Sequence, residues 1–257
     1  MKEQIVCHQQ GKDGMHKTWH ASEEHLFMYI HAGQGSFVCA QSVFPLEEGV
    51  LLFIGAGVYH YTVTEVPARY DRSKLTLDPN RLQILSSVLS KPAFEDKSVI
   101  YAKIPPEQRP AVEEIFCRGT QGKGPWELGF MAAALELVSY LQAYEAGSAA
   151  GAEGRMARAI RFINEHISED LDIQKICDEI NVSKYHFCRQ FKAHTGMTVM
   201  AYLLKTRIVL AAEELKKTDL PVSEISENLG FSSLSYFCRV FKQERGVTPL
   251  QYRKQAK

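Results

Sequence analysis

The rhythm of apolar positions along this chain changes twice. Over residues 19–65 the chain runs through apolar or aromatic stretches of four to six residues, such as "LFMYI" and "VLLFI", broken by turns containing Gly or Pro. Short runs at that regular spacing predict strands, and several of them predict a small barrel or sandwich. Beyond residue 80 the spacing lengthens. "PPEQRPAVEEIFCRG" and "PWELGFMAAALELVSYLQAYEA" read as helices, the second with apolar residues at Leu128, Met131, Leu135, Val138 and Leu141. That stripe either packs on the barrel or forms a two-helix dimer seam. "EAGSAAGAEG" (145–154) has no periodicity and reads as a linker. From residue 155 every segment reads as a short helix. The expected fold class is α+β multidomain: a barrel with helices over 1–145, a linker over 146–154 and an all-α domain over 155–257.

The helical part contains a repeat. "FCRQFK" at 187–192 returns as "FCRVFK" at 237–242, and the match extends from Ile173–Phe191 to Val222–Phe241 with one extra residue in the second copy. Each copy has a first helix, "IQKICDEI" or "VSEISENL", that ends at Asn181 or Gly230, residues tolerant of left-handed backbone. Ser183 or Ser232 is then placed to cap a second helix. This is helix-turn-helix grammar, written twice and joined by "VMAYLLKTRIVLAAEELKKT". At 100° per residue, Tyr185, Cys188, Arg189 and Lys192 share one face of the second helix, with Phe187, Gln190 and Phe191 opposite. In the second copy Ser235, Cys238, Arg239 and Lys242 share the equivalent face, and Phe237, Val240 and Phe241 the other. The phenylalanines are expected to fill each unit's core.

Charge sharpens that picture. The whole chain is formally neutral, with 30 Lys and Arg against 30 Asp and Glu. Residues 155–257 hold 17 basic against 12 acidic residues, and the first part holds the reverse excess. An acidic half joined to a basic half points to a polyanion as partner of the basic one. An outward Arg on a second helix suits a guanine edge in the major groove. The roughly 30 Å spanned by a twenty-residue connecting helix approaches the 34 Å between successive grooves. Six scattered cysteines without a C-x-x-C pair suit neither a zinc site nor a disulfide scaffold. No long apolar run predicts a membrane span, and the N-terminus lacks a signal-peptide pattern, so a cytoplasmic chain is expected.

"LPVSEISENLGFSSLSYFCRVFKQERGVTPLQYRK" (220–254) resembles the signature segment of the AraC family of bacterial transcription regulators. The family pattern is met at Ile225, Gly230, Phe231, Ser235, Tyr236, Phe237, Arg239, Phe241, Lys242, Gly246, Thr248, Pro249, Tyr252 and Arg253, with Ser226 in place of the usual Ala. The resemblance implies a seven-helix domain that binds promoter DNA. It implies base contacts from Tyr185, Cys188, Arg189, Ser235, Cys238 and Arg239. Contacts to phosphates are expected from Ser183, Lys184, Lys192, Ser232 and Lys242. Cys188 and Cys238 depart from the small polar residues usual at those places. Each is either a packed small residue or, with an Arg beside it to lower its pKa, a redox switch.

"EEGVLLFIGAGVYHY" resembles the second motif of cupin barrels at Gly49, Gly57 and His60, with Gly55 at the proline position. "TWHASEEH" partly resembles the first at His20 and Glu24, with Thr18 where a His belongs. "YDRSKLTLDPN" (70–80) looks like the segment that follows such a barrel in AraC-like chains. There the barrel commonly senses a small molecule and dimerises, and many relatives touch RNA polymerase. A sugar or related metabolite is the expected effector, with Trp19, Tyr29 and Tyr59, along with Phe37 and Phe53, available to stack on it and His20, Glu24 and His60 to bind hydroxyls. The competing readings are a barrel that only dimerises or answers to a protein, and a cupin metalloenzyme holding a divalent ion at His20, Glu24 and His60. The spare histidines His16, His25 and His31 do not restore the metal motif, so no catalysis, metal or cofactor is expected.

Overall fold

The computed structural model describes residues 5–10, 19–39, 42–64, 66, 69–79, 99–121, 126–144 and 155–256. They form two compact units. The first carries eight strands among the described residues: β1 (Ile5–Gln10), β2 (His25–Ala32), β3 (Gly35–Cys39), β4 (Val43–Leu46), β5 (Val50–Ile54), β6 (His60–Thr64), β7 (Asp71–Leu77) and β8 (Val99–Lys103). Two helices follow, α1 (Arg109–Gln121) and α2 (Trp126–Tyr144). The strands make a five-stranded sheet in the order β1-β7-β2-β5-β8 and a three-stranded sheet in the order β4-β3-β6. The cupin-like barrel is realised as these two sheets face to face. Leu26, Met28 and Ile30 of β2 meet Phe37 and Cys39 of β3 and Leu46 of β4 in one apolar cluster.

The five-stranded sheet is covered on its other side as well. Phe27, Tyr29, Leu51, Phe53, Leu75 and Leu77 pack there against Val112, Ile115 and Phe116 of α1 and Phe130, Ala134, Leu137 and Leu141 of α2. The stripe of α2 therefore packs on the sheet, centred one position away from the expected one. Met131 and Leu135 lie half-buried at its margin, and the Leu128 side chain lies outside the described residues. Double coverage is why β5 is buried at every position and β2 at five in a row. Strands β1, β7 and β8 fall outside the stretch read as strands. "YDRSKLTLDPN" is not a segment after the barrel but largely strand β7, seated between β1 and β2.

The second unit is all helix: α3 (Arg155–Glu165), α4 (Ile173–Ile180), α5 (Lys184–Thr195), α6 (Val199–Lys217), α7 (Val222–Asn228), α8 (Leu234–Arg245) and α9 (Pro249–Ala256). These seven agree with the helix count implied by the resemblance. Helices α4 and α5 form one helix-turn-helix unit, α7 and α8 the other, with α6 between them. The segment 145–154 expected as a linker lies outside the described residues. Among the described residues, no helix is long and apolar enough to cross a membrane.

Candidate nucleic-acid interface and effector cavity

Each second helix is held by its phenylalanines. Phe187 and Phe191 of α5 are buried edge-on to each other at 5.5 Å, and Phe191 meets Tyr202 of α6. Phe237 and Phe241 of α8 repeat this at 5.6 Å, with Tyr252 of α9 against Phe241. Burying two such rings per helix contributes several kcal/mol and sets its rotation about its axis. That rotation turns Arg189, Lys192, Arg239 and Lys242 to solvent, together with Lys184, Ser235 and Tyr185, which is 78% exposed. Among the described residues no carboxylate pairs with Arg189, Lys192, Arg239 or Lys242. The one acid on α8, Glu244, turns instead to Lys205 of α6 at 3.7 Å. Both helices end at a left-handed glycine, Gly196 or Gly246, whose N–H closes on Lys192 or Lys242.

The turns differ in detail from the sequence reading. Asn181 is left-handed at φ 53° and Gly230 at φ 71°, as their residue types required. The cap of α8, however, is Ser233, whose hydroxyl accepts from the Tyr236 N–H at 3.2 Å; Ser232 sits one residue earlier, exposed in the turn. The extra residue of the second copy therefore lies between Phe231 and the cap, not further along. Ser183 does cap α5 by position, but without a side-chain hydrogen bond. Cys188 and Cys238 are half-buried, and Cys238 packs on the core beneath α8. Burial pushes the Cys238 thiol up, the opposite of the activation expected from its Arg neighbour.

Sequence reasoning missed Arg207. From α6 it donates to the carbonyls of Ile167, Glu169 and Gly230, at 2.7, 2.7 and 2.8 Å. One side chain thus ties the connecting helix to the turn of the second unit. A lone Arg in an amphipathic helix gives no signal of this.

In the first unit the expected effector residues separate. His20 and His60 come together: their backbones bond to each other at 2.9 and 3.1 Å, and their rings lie 4.4 Å apart. Phe37 stacks on His60 at 5.0 Å. Tyr29 and Phe53 do not join them. They lie on the helix side of the large sheet, Tyr29 against Phe116 at 6.3 Å, where desolvation raises the phenol's pKa. Trp19 meets Tyr61 edge-on at 5.0 Å, Tyr59 is buried, and Glu24 stands at the start of β2, its N–H donating to Ser22. Among the described residues no three of His, Cys, Asp and Glu gather as a metal site would require. His25 accepts from the Ala56 N–H, and His31 is held between Ser73 and Glu113. Thr18 and His16 lie outside the described residues.

Between the two sheets His20 and His60 line a cavity of about 20 Å³ with Leu26, Met28, Thr62, Arg72 and Lys74. That is room for about one water. His60 donates from Nδ1 to the Val58 carbonyl at 2.8 Å. Desolvation first, then His20, Lys74 and Arg72, press its pKa down to about 4.

Residues 4–111 match the family description "AraC-like ligand binding domain", and residues 176–255 match "Helix-turn-helix domain". The regulatory protein SoxS of Salmonella typhimurium is 37% identical over 94 residues, which cover 37% of this chain and 88% of SoxS. The chain belongs to the AraC family. As a member it is a DNA-binding transcription regulator with a ligand-binding domain, not an enzyme. The regulatory protein PocR of Salmonella typhimurium is 39% identical over 103 residues, 40% of this chain, and the match spans only 34% of PocR's own length. Among solved structures, the C-terminal domain of AraT, a response regulator from Geobacillus stearothermophilus, is 36% identical with a TM-score of 0.38. The match covers 39% of this chain and 84% of that one. Within the AraC family the two exposed basic faces lie in the part matched as the helix-turn-helix domain, and the cavity in the part matched as the ligand-binding domain.

Proposed function

We propose that this chain acts in the cytoplasm as an effector-controlled regulator that reads promoter DNA with α5 and α8 in two successive major grooves. The observation that carries this is the duplicated face: an Arg and a Lys one turn apart, free of carboxylates, on a helix fixed by two buried phenylalanines. Helix α6 has 19 residues and so a length of about 28 Å. Its scale suits neighbouring grooves on one side of the duplex. Tyr185, Cys188, Arg189, Ser235, Cys238 and Arg239 then face the bases. Ser183, Lys184, Lys192, Ser232 and Lys242 face phosphates, which set affinity and salt dependence. A homodimer through the first unit and contact with RNA polymerase complete the proposal. Residues 1–145 form its sensing part and 155–257 its reading part.

The test is equilibrium binding to a duplex selected from a random library. Arg189→Ala and Arg239→Ala should each weaken specific binding by about 1–3 kcal/mol while leaving nonspecific binding almost unchanged. Unchanged specific affinity in both variants would refute the assigned face.

Two sensor readings remain in competition, and the cavity separates them. A water-sized space favours a barrel that dimerises without a ligand. The gathering of five polar or basic side chains inside it favours a sensor. A thermal-shift screen of the whole chain against sugars, organic acids and other metabolites decides. A bound effector at a hundred times its dissociation constant adds about 2.7 kcal/mol.

A further inference from the structure

The two reading helices share their middle and differ at their tips. Phe187, Cys188, Arg189, Phe191 and Lys192 of α5 return in α8 as Phe237, Cys238, Arg239, Phe241 and Lys242. The three residues before them do not return. Lys184, Tyr185 and His186 stand where α8 has Leu234, Ser235 and Tyr236. Leu234 is the odd member of that first turn. It opens α8 beside the bonded cap Ser233 and is 44% exposed, on a surface that also shows Ser232, Ser235, Arg239 and Lys242. The core beneath α8 is filled by Phe237, Val240 and Phe241, and Tyr236 is engaged with Phe231 and Arg239. A single exposed leucine is ordinary on a protein surface. Its place makes this one different, because the first residues of such a helix are the ones that reach base edges.

We infer that Leu234 is a specificity-determining residue that packs on the C5-methyl group of a thymine in the groove entered by α8. The inference rests on the proposed placing of α5 and α8 in two major grooves, and it names one base that α8 reads. The donors and acceptors that base pairs show in the major groove suit Ser235 and Arg239. The thymine methyl is the one apolar group on offer there. Against a polar base edge or a phosphate, Leu234 would displace water without returning a hydrogen bond. Against the methyl it displaces water from apolar surface on both sides, which is favourable. Leu234 and Arg239 are five residues and so about 7.5 Å apart along α8, about two base-pair steps. The thymine therefore belongs within about three base pairs of the one read by Arg239. In the first unit Lys184 holds this place and suits a phosphate, so the two half-sites share the base read by Arg and diverge beside it.

The experiment is equilibrium binding of the full chain to the duplex selected from a random library, with each thymine replaced in turn by deoxyuridine. Deoxyuridine lacks the C5-methyl and keeps every hydrogen-bonding group. The base pair whose discrimination is lost in Arg239→Ala marks the half-site of α8. One thymine within about three base pairs of it should lose about fourfold in affinity on replacement, the worth of one buried methyl. Leu234→Ala should bind the thymine duplex more weakly and be indifferent to that replacement. Leu234→Lys, which copies the first unit, should be equally indifferent and should steepen the salt dependence by about one counterion. Indifference of the unaltered chain to every replacement in that half-site, or a selected half-site without thymine, overturns the inference. So does a responsive thymine to which Leu234→Ala stays as sensitive as the unaltered chain, since another residue then reads the methyl. In each of these cases a loss of specific binding in Arg239→Ala leaves the placing of α8 standing. If Arg189→Ala and Arg239→Ala both bind the selected duplex unchanged, the reading face itself falls, and the role of Leu234 with it.

Discussion

The two helix-turn-helix units present the same face to solvent and secure it by different means. In the first, the turn rests on Asn181, α5 starts without a side-chain cap bond, and Arg189 has no aromatic partner among the described residues. In the second, the turn rests on Gly230, whose carbonyl is gripped by Arg207, α8 starts on the bonded cap Ser233, and Arg239 lies over the Tyr236 ring at 5.4 Å. Tyr236 itself sits against Phe231, an aromatic for which the first turn has only Val182. Repetition of sequence has therefore not produced repetition of rigidity. Helix α8 is the more firmly pre-ordered of the two, so in the proposed complex it has less conformational freedom to lose. The first has more latitude to adapt.

The turns offer the hardest test of that contrast. A Cβ on Gly230 would stand 2.2 Å from the Ser168 carbonyl oxygen and 2.9 Å from the Arg207 guanidinium, at a φ of +71° that side chains resist. Gly230→Ala should destabilise the second unit by about 3 kcal/mol or more, read from chemical unfolding. Asn181→Ala meets only the left-handed penalty, about 1–2 kcal/mol, and Asn181→Gly should be close to neutral. Equal losses at the two turns would erase the difference between the units.

Next in size is the ring beneath Arg239. If Tyr236 holds the guanidinium for the groove, Tyr236→Leu and Arg239→Ala should be coupled by about 0.5–1 kcal/mol in binding to the selected duplex. At the equivalent places, His186→Leu and Arg189→Ala should be additive. Coupling of the same size in both pairs would show that the stacking seen in the second unit does not distinguish its reading head.

Much of this face was legible beforehand because it is local. A helix repeats every 3.6 residues, so the sequence of α5 alone places Phe187 and Phe191 opposite Arg189 and Lys192, and burial of the rings settles the rest. The left-handed turn residues were legible for the same reason. The cap was misread because Ser232 and Ser233 are adjacent and only the geometry of the turn chooses between them. The first unit was less legible, for a physical cause. Strand reasoning relies on one wet face, and the five-stranded sheet has none: Tyr29 and Met28 are both buried, one under helices and one under the second sheet. Alternation therefore could not say that Tyr29 faces away from His60. Strand β7 hid for the opposite reason. Arg72 and Lys74 make "DRSKLTL" look like surface, although Arg72 is inside.

The smallest expected effect concerns the caps, and it tests whether pre-ordering reaches the start of the reading helix. The Ser233 hydroxyl accepts one of the N–H groups left over at the first turn of α8, so Ser233→Ala leaves that donor to water and should cost about 1 kcal/mol of stability. Ser183 makes no such bond, and Ser183→Ala should cost less than about half as much. Hydrogen exchange at the first turns gives a finer reading than global unfolding, because a frayed turn opens locally without the core. In the unaltered chain the Tyr236 amide should exchange more slowly than the His186 amide, and Ser233→Ala should bring the two together. The bases are read from these turns through Tyr185 and Ser235 in the proposed complex. A chain in which both turns already exchange alike would place the difference between the units in the Arg239 stack and the Gly230 turn alone.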